Sequence, residues 1–360
     1  MHRSVARFSA SFGAVATIVA VVGCGDKVNP NIVIPIVQAR TFQQTNLVAD
    51  VASLGALTVD PNLVNPWGLA FGSTGILWAA NNGSGTSTLY AQDGAKQTLT
   101  VTIPGATAGE AGVPTGTLFN TTTDFVIPGS TAAAFIFAGE DGTIAAWNAA
   151  SGSTASVVAD RSASSAVYKG IAMASNAGAN FLYLTNFKQN SIDVFDASYT
   201  FVRGFTDATI PAGFAPFGIQ TIDGNLYVTY AKQLAPDNED DQAGAGNGYV
   251  DIFSPDGTLI RRFASQGSLN SPWGIAVAPA GFGGLDGDIL IGNFGDGLIG
   301  AYNPTTGAFV DFLRMTGGTQ ISIPGLWSLV FAPGSSTTLF FSSGPSSESH
   351  GLLGTLTPNP

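Results

Sequence analysis

The chain has 360 residues and is acidic, with 13 Lys and Arg against 24 Asp and Glu, yet charged residues are only 10% of it and glycine reaches 46. That balance excludes a nucleic-acid binder, which needs a basic footprint. Beyond the N-terminus no apolar run reaches the roughly 18 residues of a membrane helix. One Cys and two His exclude a disulfide and a zinc site built on Cys and His.

The first segment in chain order, "MHRSVARFSASFGAVATIVAVVGC", opens with Arg3 and Arg7 and continues into an apolar stretch from Phe12 to Val22. It reads as an export signal over residues 1–23. Its end, Val21-Val22-Gly23-Cys24, resembles a bacterial lipobox, in which the Cys is acylated and becomes the first residue. Cys24 is therefore the expected lipidation site, and the lipid the expected membrane attachment. Gly25 at the next position favours an outer-membrane or other envelope location. Removal of residues 1–23 leaves 11 basic against 24 acidic residues, a formal charge of −13, and His350 as the sole histidine. Residues 24–40 read as a tether.

From residue 41 onward the chain can be laid over itself. Blocks start at Pro66-Trp67-Gly68, Pro114-Thr115-Gly116, Tyr168-Lys169-Gly170, Pro216-Phe217-Gly218, Pro272-Trp273-Gly274 and Leu326-Trp327-Ser328. Each continues with a second apolar run, such as "ILWAANN" or "FLYLTNF", then a third, and in most blocks a fourth. Four strands per period of about 50 residues, six times over, predict an all-β fold: a six-bladed β-propeller with four-stranded blades over 41–360. Asp93-Gly94, Asp256-Gly257 and Thr306-Gly307 supply turns between third and fourth strands. In the repeated Pro-Trp-Gly, the Pro starts the innermost strand, where its missing N–H does no harm. The aromatic is expected to fill the wedge between adjacent blades, and the Gly to let strands crowd near the axis. The last block stops after three strands, and a spare segment, Thr41 to Asp50, precedes the first. The expectation is that this N-terminal strand completes blade six and closes the ring.

The blocks resemble NHL-type propellers, with "LYLTNFKQNSIDVFD", Leu182 to Asp196, as the nearest copy of that pattern. Across nearly the whole chain after residue 23, "NPWGLA", "YVTYAKQ", "GNGYVDIFSPDG", "IGNFGDG" and "GPSSESHGLLG" resemble a family of exported bacterial propellers of uncharacterised function. The resemblance implies the fold and export, and it carries no reaction.

Loops between second and third strands, and between blades, meet at one mouth of a propeller channel, where function is expected to lie. Asn81, Asn186 and Asn293 end the second strands of blades one, three and five; Gly139, Tyr230 and Ser343 stand there in the others. These Asn residues either cap their own turns or offer oxygens to a ligand. Glu140, Asp141 and Asp296 lie in the same loops. With the Asn residues they form a candidate all-oxygen Ca2+ site, an arrangement that resembles the channel-mouth Ca2+ of lactonase-type hydrolases on six-bladed propellers. There the ion polarises a carbonyl and a carboxylate serves as base. The insertion "AKQLAPDNEDDQAGAGNG", Ala231 to Gly248, lacks EF-hand spacing and reads as a mobile acidic loop. Glu348 and His350 form a candidate acid–base pair in the last mouth loop. No G-x-S-x-G elbow is present. The function expected from these features is a lipid-anchored binding or scaffold module of the cell envelope that holds a protein, peptide or glycan. A Ca2+-dependent hydrolase of the lactonase type is the alternative.

Overall fold

The computed structural model describes residues 40–359; the signal, Cys24 and nearly all of the tether lie outside them. Six antiparallel sheets follow one another in chain order. Their innermost strands are Pro66–Phe71, Pro114–Phe119, Tyr168–Asn176, Phe214–Ile222, Pro272–Val277 and Leu326–Phe331. Blades one to five each take four consecutive strands. In blade six the fourth strand is Phe42–Ala49, antiparallel to the last strand, Leu352–Pro358. A two-residue strand, Thr58–Val59, adds a parallel edge to it. The ring is therefore closed by pairing the two ends of the propeller, which removes two sheet edges from solvent. Asp60, just after this edge, is buried, accepts from Tyr90 Oη at 2.6 Å and pairs with Lys96 at 2.6 Å. Those bonds pin the closing segment to blade one.

The wedges between blades are filled by side chains of the second and third strands. Between blades one and two, Trp78 stacks on Phe135 with centroids 3.9 Å apart, beside Phe137 and Trp147. Between blades three and four, Tyr183, Ile192 and Val194 meet Leu226, Val228 and Phe253. Alternation along each strand supplies one apolar row to each neighbouring blade.

The aromatic of Pro-Trp-Gly does not enter a wedge. In all six inner strands the ladder to the second strand is interrupted at the motif: between Pro66 and Leu69, Pro114 and Thr117, Tyr168 and Gly170, Pro216 and Ile219, Pro272 and Gly274, and Leu326 and Leu329. A bulge releases a residue from alternation and re-aims its side chain. Trp67, Phe217, Trp273 and Trp327 pack together in one buried cluster with Phe187, separate from the interblade clusters. The ring centroids of Trp67 and Trp327 are 3.5 Å apart and stacked, Phe294 stacks on Trp327 at 4.0 Å, and Trp273 meets both indoles edge-on. Residues of five blades thus join across the axis and plug the channel. This corrects the wedge expectation; local alternation cannot foresee a bulge repeated six times.

The motif glycines do what their position implies. A Cβ on Gly218 would sit 2.1 Å from the Trp273 carbonyl oxygen, and one on Gly274 2.5 Å from that of Trp327. Hydroxyls join neighbouring blades at the same level: Thr115 Oγ1 donates to the Tyr168 carbonyl at 2.9 Å and Thr185 Oγ1 to that of Phe217 at 2.7 Å.

Candidate functional site

At one end of the plug stands a lysine. Lys169 occupies the bulge position of blade three, where four of the other five blades carry an aromatic residue. Its side chain is only 2% exposed. The ammonium ion-pairs with Glu140, lies 3.5 Å from Asp240 Oδ1, and sits 5.3 Å from the Trp67 ring centroid and 5.9 Å from that of Phe187. Burial pulls its pKa down, but Glu140, Asp240 and Glu348 together push it above the ordinary lysine value. It therefore remains a cation.

Around it the mouth is acidic. Glu140 Oε2 accepts from Asn82 Nδ2 at 2.7 Å, and Glu348 Oε2 accepts from Asn65 Nδ2 at 2.7 Å. Asn65 Oδ1 in turn accepts from Trp327 Nε1 at 3.1 Å, so the charged layer is bonded directly to the plug. Burial raises the Glu348 carboxyl, with the neighbouring Glu140 adding to the rise. Burial likewise raises the Asp241 carboxyl, which Ser271 and Lys169 only partly offset. Both carboxyls are short of positive charge.

The acidic insertion supplies Asp240 and Asp241 and is fixed in place. Leu234 N donates to the Asp240 carbonyl and Gln242 N to that of Lys232. Gln233 Nε2 donates to the Phe187 carbonyl at 2.7 Å, Gly244 N to Asn270 Oδ1 at 2.7 Å, and Lys188 pairs with Glu239 at 2.6 Å. The loop thus spans from blade three to the entry of blade five. The expected mobility of this loop is corrected, because its composition hid partners that the chain supplies from tens of residues away.

The candidates from sequence separate into groups. The structure gathers Glu140 and Glu348 about Lys169. Asn81, Asn186 and Asn293 do occupy equivalent places, each level with the first residue of its inner strand through the pairs Pro66–Asn81, Tyr168–Asn186 and Pro272–Asn293. All three are buried. Asn186 Oδ1 accepts from Val167 N and Asn293 Oδ1 from Asn270 N, both at 3.2 Å, which ties each crossing loop to its hairpin. Asn81 Nδ2 donates to Thr88 Oγ1 at 2.9 Å, while its Oδ1 has no partner. Asp141 receives Ala106 N and the Thr143 hydroxyl; Asp296 receives Leu298 N and Asn270 Nδ2. Both brace turns. Glu348 and His350 part company: His350 Nδ1 lies 2.8 Å from Asp50 Oδ2, on the closing segment. Among the described residues no group of three or more His, Cys, Asp or Glu is arranged to hold a metal. Two of the three Asn oxygens proposed for Ca2+ are already occupied by backbone N–H groups.

Lys169 was legible only as an oddity, the one charge in an axial series of Trp, Thr, Phe, Trp and Trp. A second titratable group lies in blade four, where Arg262 bridges Asp207 and Asp251. Burial pushes Asp251 up to about 7 despite Arg262, whereas Thr209 and Arg262 hold Asp207 below the usual carboxylate range against its own burial. Between pH 4 and 7 the folded chain then keeps a proton at Asp251 that the unfolded chain has lost, so stability falls as pH rises through that window. Glu348 and Asp241 act in the same direction, while the contribution of Asp207 is lost only below its unfolded pKa. The expected result is a melting temperature higher at pH 5 than at pH 7.5, with Asp251→Asn flattening the difference. A wild-type profile that rises over this interval would contradict it.

These features define the chain as a six-bladed β-propeller with a plugged axis and an acidic mouth around one buried lysine. A comparison with protein-family models finds no match. The chain is 34% identical over 332 residues to an uncharacterised protein of Acanthamoeba polyphaga mimivirus, covering 89% of this chain and 81% of that one. It is 31% identical to a second uncharacterised mimivirus protein, with 82% and 81% covered. It belongs to the same family as these proteins. Among solved structures, a streptogramin B lyase superposes with a TM-score of 0.53 at 13% identity, over 88% of this chain and 97% of that one. Virginiamycin B lyase from Staphylococcus aureus gives 0.53 at 15%, over 88% and 99%. A Bacteroides thetaiotaomicron protein of unknown function gives 0.52 at 13%, over 83% and 70%. At these identities the likeness is one of fold.

Proposed function

We propose that this chain is an exported binding module, held at the cell envelope through a lipid on Cys24, whose channel mouth receives a cationic group such as a lysine or arginine side chain of a peptide or protein. One observation carries the reading: four carboxyls, Glu140, Asp240, Asp241 and Glu348, surround a single ammonium, that of Lys169, which is already committed to Glu140. Buried carboxyls short of counter-charge gain from an incoming cation, and an acidic mouth steers one toward it. Asp240, 77% exposed, is the accessible edge of the cluster. Lys169 and the carboxyls Glu140 and Glu348 are already engaged with one another and with amide donors, so binding is favoured over catalysis, including the lyase activity named for the streptogramin and virginiamycin enzymes.

Titration calorimetry with pentalysine amide tests the ligand class. Saturable binding is expected, weakened at least tenfold by the double variant Asp240→Asn/Glu348→Gln and by high salt. Absence of binding, or equal binding by that variant, would overturn it. A rise in melting temperature with Ca2+ that EDTA reverses would instead favour the calcium-dependent hydrolase. For the anchor, Cys24→Ala is expected to move the protein from the membrane to the soluble fraction; unchanged partitioning rejects lipidation.

A further inference from the structure

The other end of the same channel has the opposite chemistry. Beyond the motif glycines the six inner strands diverge around a cavity of about 530 Å3. All six contribute to its wall, and Trp273 lies at its inner end, where the aromatic plug begins. The cavity is thus a blind vestibule and not part of a through-channel. Its volume falls within the roughly 300–1,000 Å3 typical of small-molecule sites. None of the residues lining it carries a titratable side chain: the wall is Gly, Ala, Leu, Ile, Val, Met, Phe and Trp with a few Thr, Ser and Gln.

The mouth at the far end gathers at least five charged side chains, so the separation is not a matter of an uncharged channel throughout. At the open rim of the vestibule Phe71, Phe119 and Phe331 are only half-buried, Val277 is 40% exposed and Gln220 is exposed. The three Phe rings pack on one side against the interblade clusters, and the apolar surface that they and Val277 leave to solvent lacks the stabilisation of burial. An occupant without charge restores it, whereas a charged one would be desolvated with no partner.

We propose that this vestibule is a second binding site, separate from the acidic mouth, for an uncharged and largely apolar small molecule. The molecule enters from the end where first and second strands turn, and its apolar body packs between the inner strands. The rim amide of Gln220 and the hydroxyl of Thr121 are the polar groups available to a hydroxyl or carbonyl on it. The site needs no metal and no bond is made or broken.

The probe is N-phenyl-1-naphthylamine, a neutral fluorophore, titrated into the full chain in detergent-free buffer. One saturable site per chain is expected, with rising probe emission and falling tryptophan emission as Trp273 transfers energy. Val277→Lys and Gln220→Lys each place a charge at the rim on an exposed position, where folding tolerates it; each is expected to weaken binding at least tenfold with an unchanged melting temperature. Asp240→Asn, at the opposite mouth, is expected to leave the affinity unchanged, which keeps this result independent of the cation test. Failure of the wild-type chain to saturate overturns the proposal. So does binding by both lysine variants at wild-type affinity, which would place the probe elsewhere on the surface.

Discussion

Replacing Trp327 by Ala is expected to destabilise the propeller by about 3–5 kcal/mol, the range for an aromatic residue removed from a packed interior. Trp327 is 1% exposed and is held between two rings, with Trp67 at 3.5 Å on one side and Phe294 at 4.0 Å on the other. Phe217 and Trp273 touch it as well, each at 5.8 Å. Its loss leaves a void on the axis that no single blade can collapse to fill, because the surrounding side chains are fixed to different sheets. It also removes the indole N–H from Asn65 Oδ1, and Asn65 is the residue that holds Glu348. Trp327→Phe should restore most of the packing but not that bond, leaving a deficit of about 1 kcal/mol. Urea unfolding followed by circular dichroism measures both. A loss below about 1 kcal/mol for Trp327→Ala would mean that the interblade wedges alone hold the ring, and the plug could not be counted as structural.

The second large effect is expected at Lys169. Lys169→Met keeps the length and apolar body of the side chain but deletes the charge that Glu140, Asp240 and Glu348 share. Removing one partner of a buried ion pair typically costs about 3–5 kcal/mol, because the other charge is left uncompensated. Glu140 is 23% exposed, so water relieves part of that penalty and the expected loss is about 2–3 kcal/mol. The discriminating variant is the double Lys169→Met/Glu140→Gln, which removes both charges and should recover at least half of the loss. If the double variant is as unstable as the single, the cost comes from packing against Trp67 and Phe187 and not from the stranded carboxylate. The two predictions are coupled, since Trp327, Asn65, Asn82, Glu140 and Lys169 form one connected chain of contacts; their effects need not add.

The sequence made the scaffold legible because the repeat states it six times. Any one block is ambiguous, but Pro66, Pro114, Tyr168, Pro216, Pro272 and Leu326 do pair with Asn81, Gly139, Asn186, Tyr230, Asn293 and Ser343, as the alignment of blocks implies. The missing fourth strand at the C-terminus and the spare one at Thr41 to Asp50 likewise predict a closure that the structure contains. The site was less legible. Asn81, Asn186 and Asn293 recur in three of the six blades, and in two of them, Asn186 and Asn293, the side chain is a brace between hairpin and crossing loop. Lys169 matters because it departs from the repeat. Its partners lie far along the chain, Glu140 29 residues away, and Glu348 reaches Asn65 across 283 residues. No local pattern encodes such a meeting.

What the sequence determined by itself is the strand count, the blade count and the place of ring closure, since alternation, turn residues and period are local properties that every copy repeats. Which way the motif side chain points, which charges meet and where the chain leaves space were decided only by the tertiary structure. The bulge turns the axial residue out of the ladder, and closing six wedges around one axis brings those six residues, and the loops above them, into contact whatever their separation in sequence.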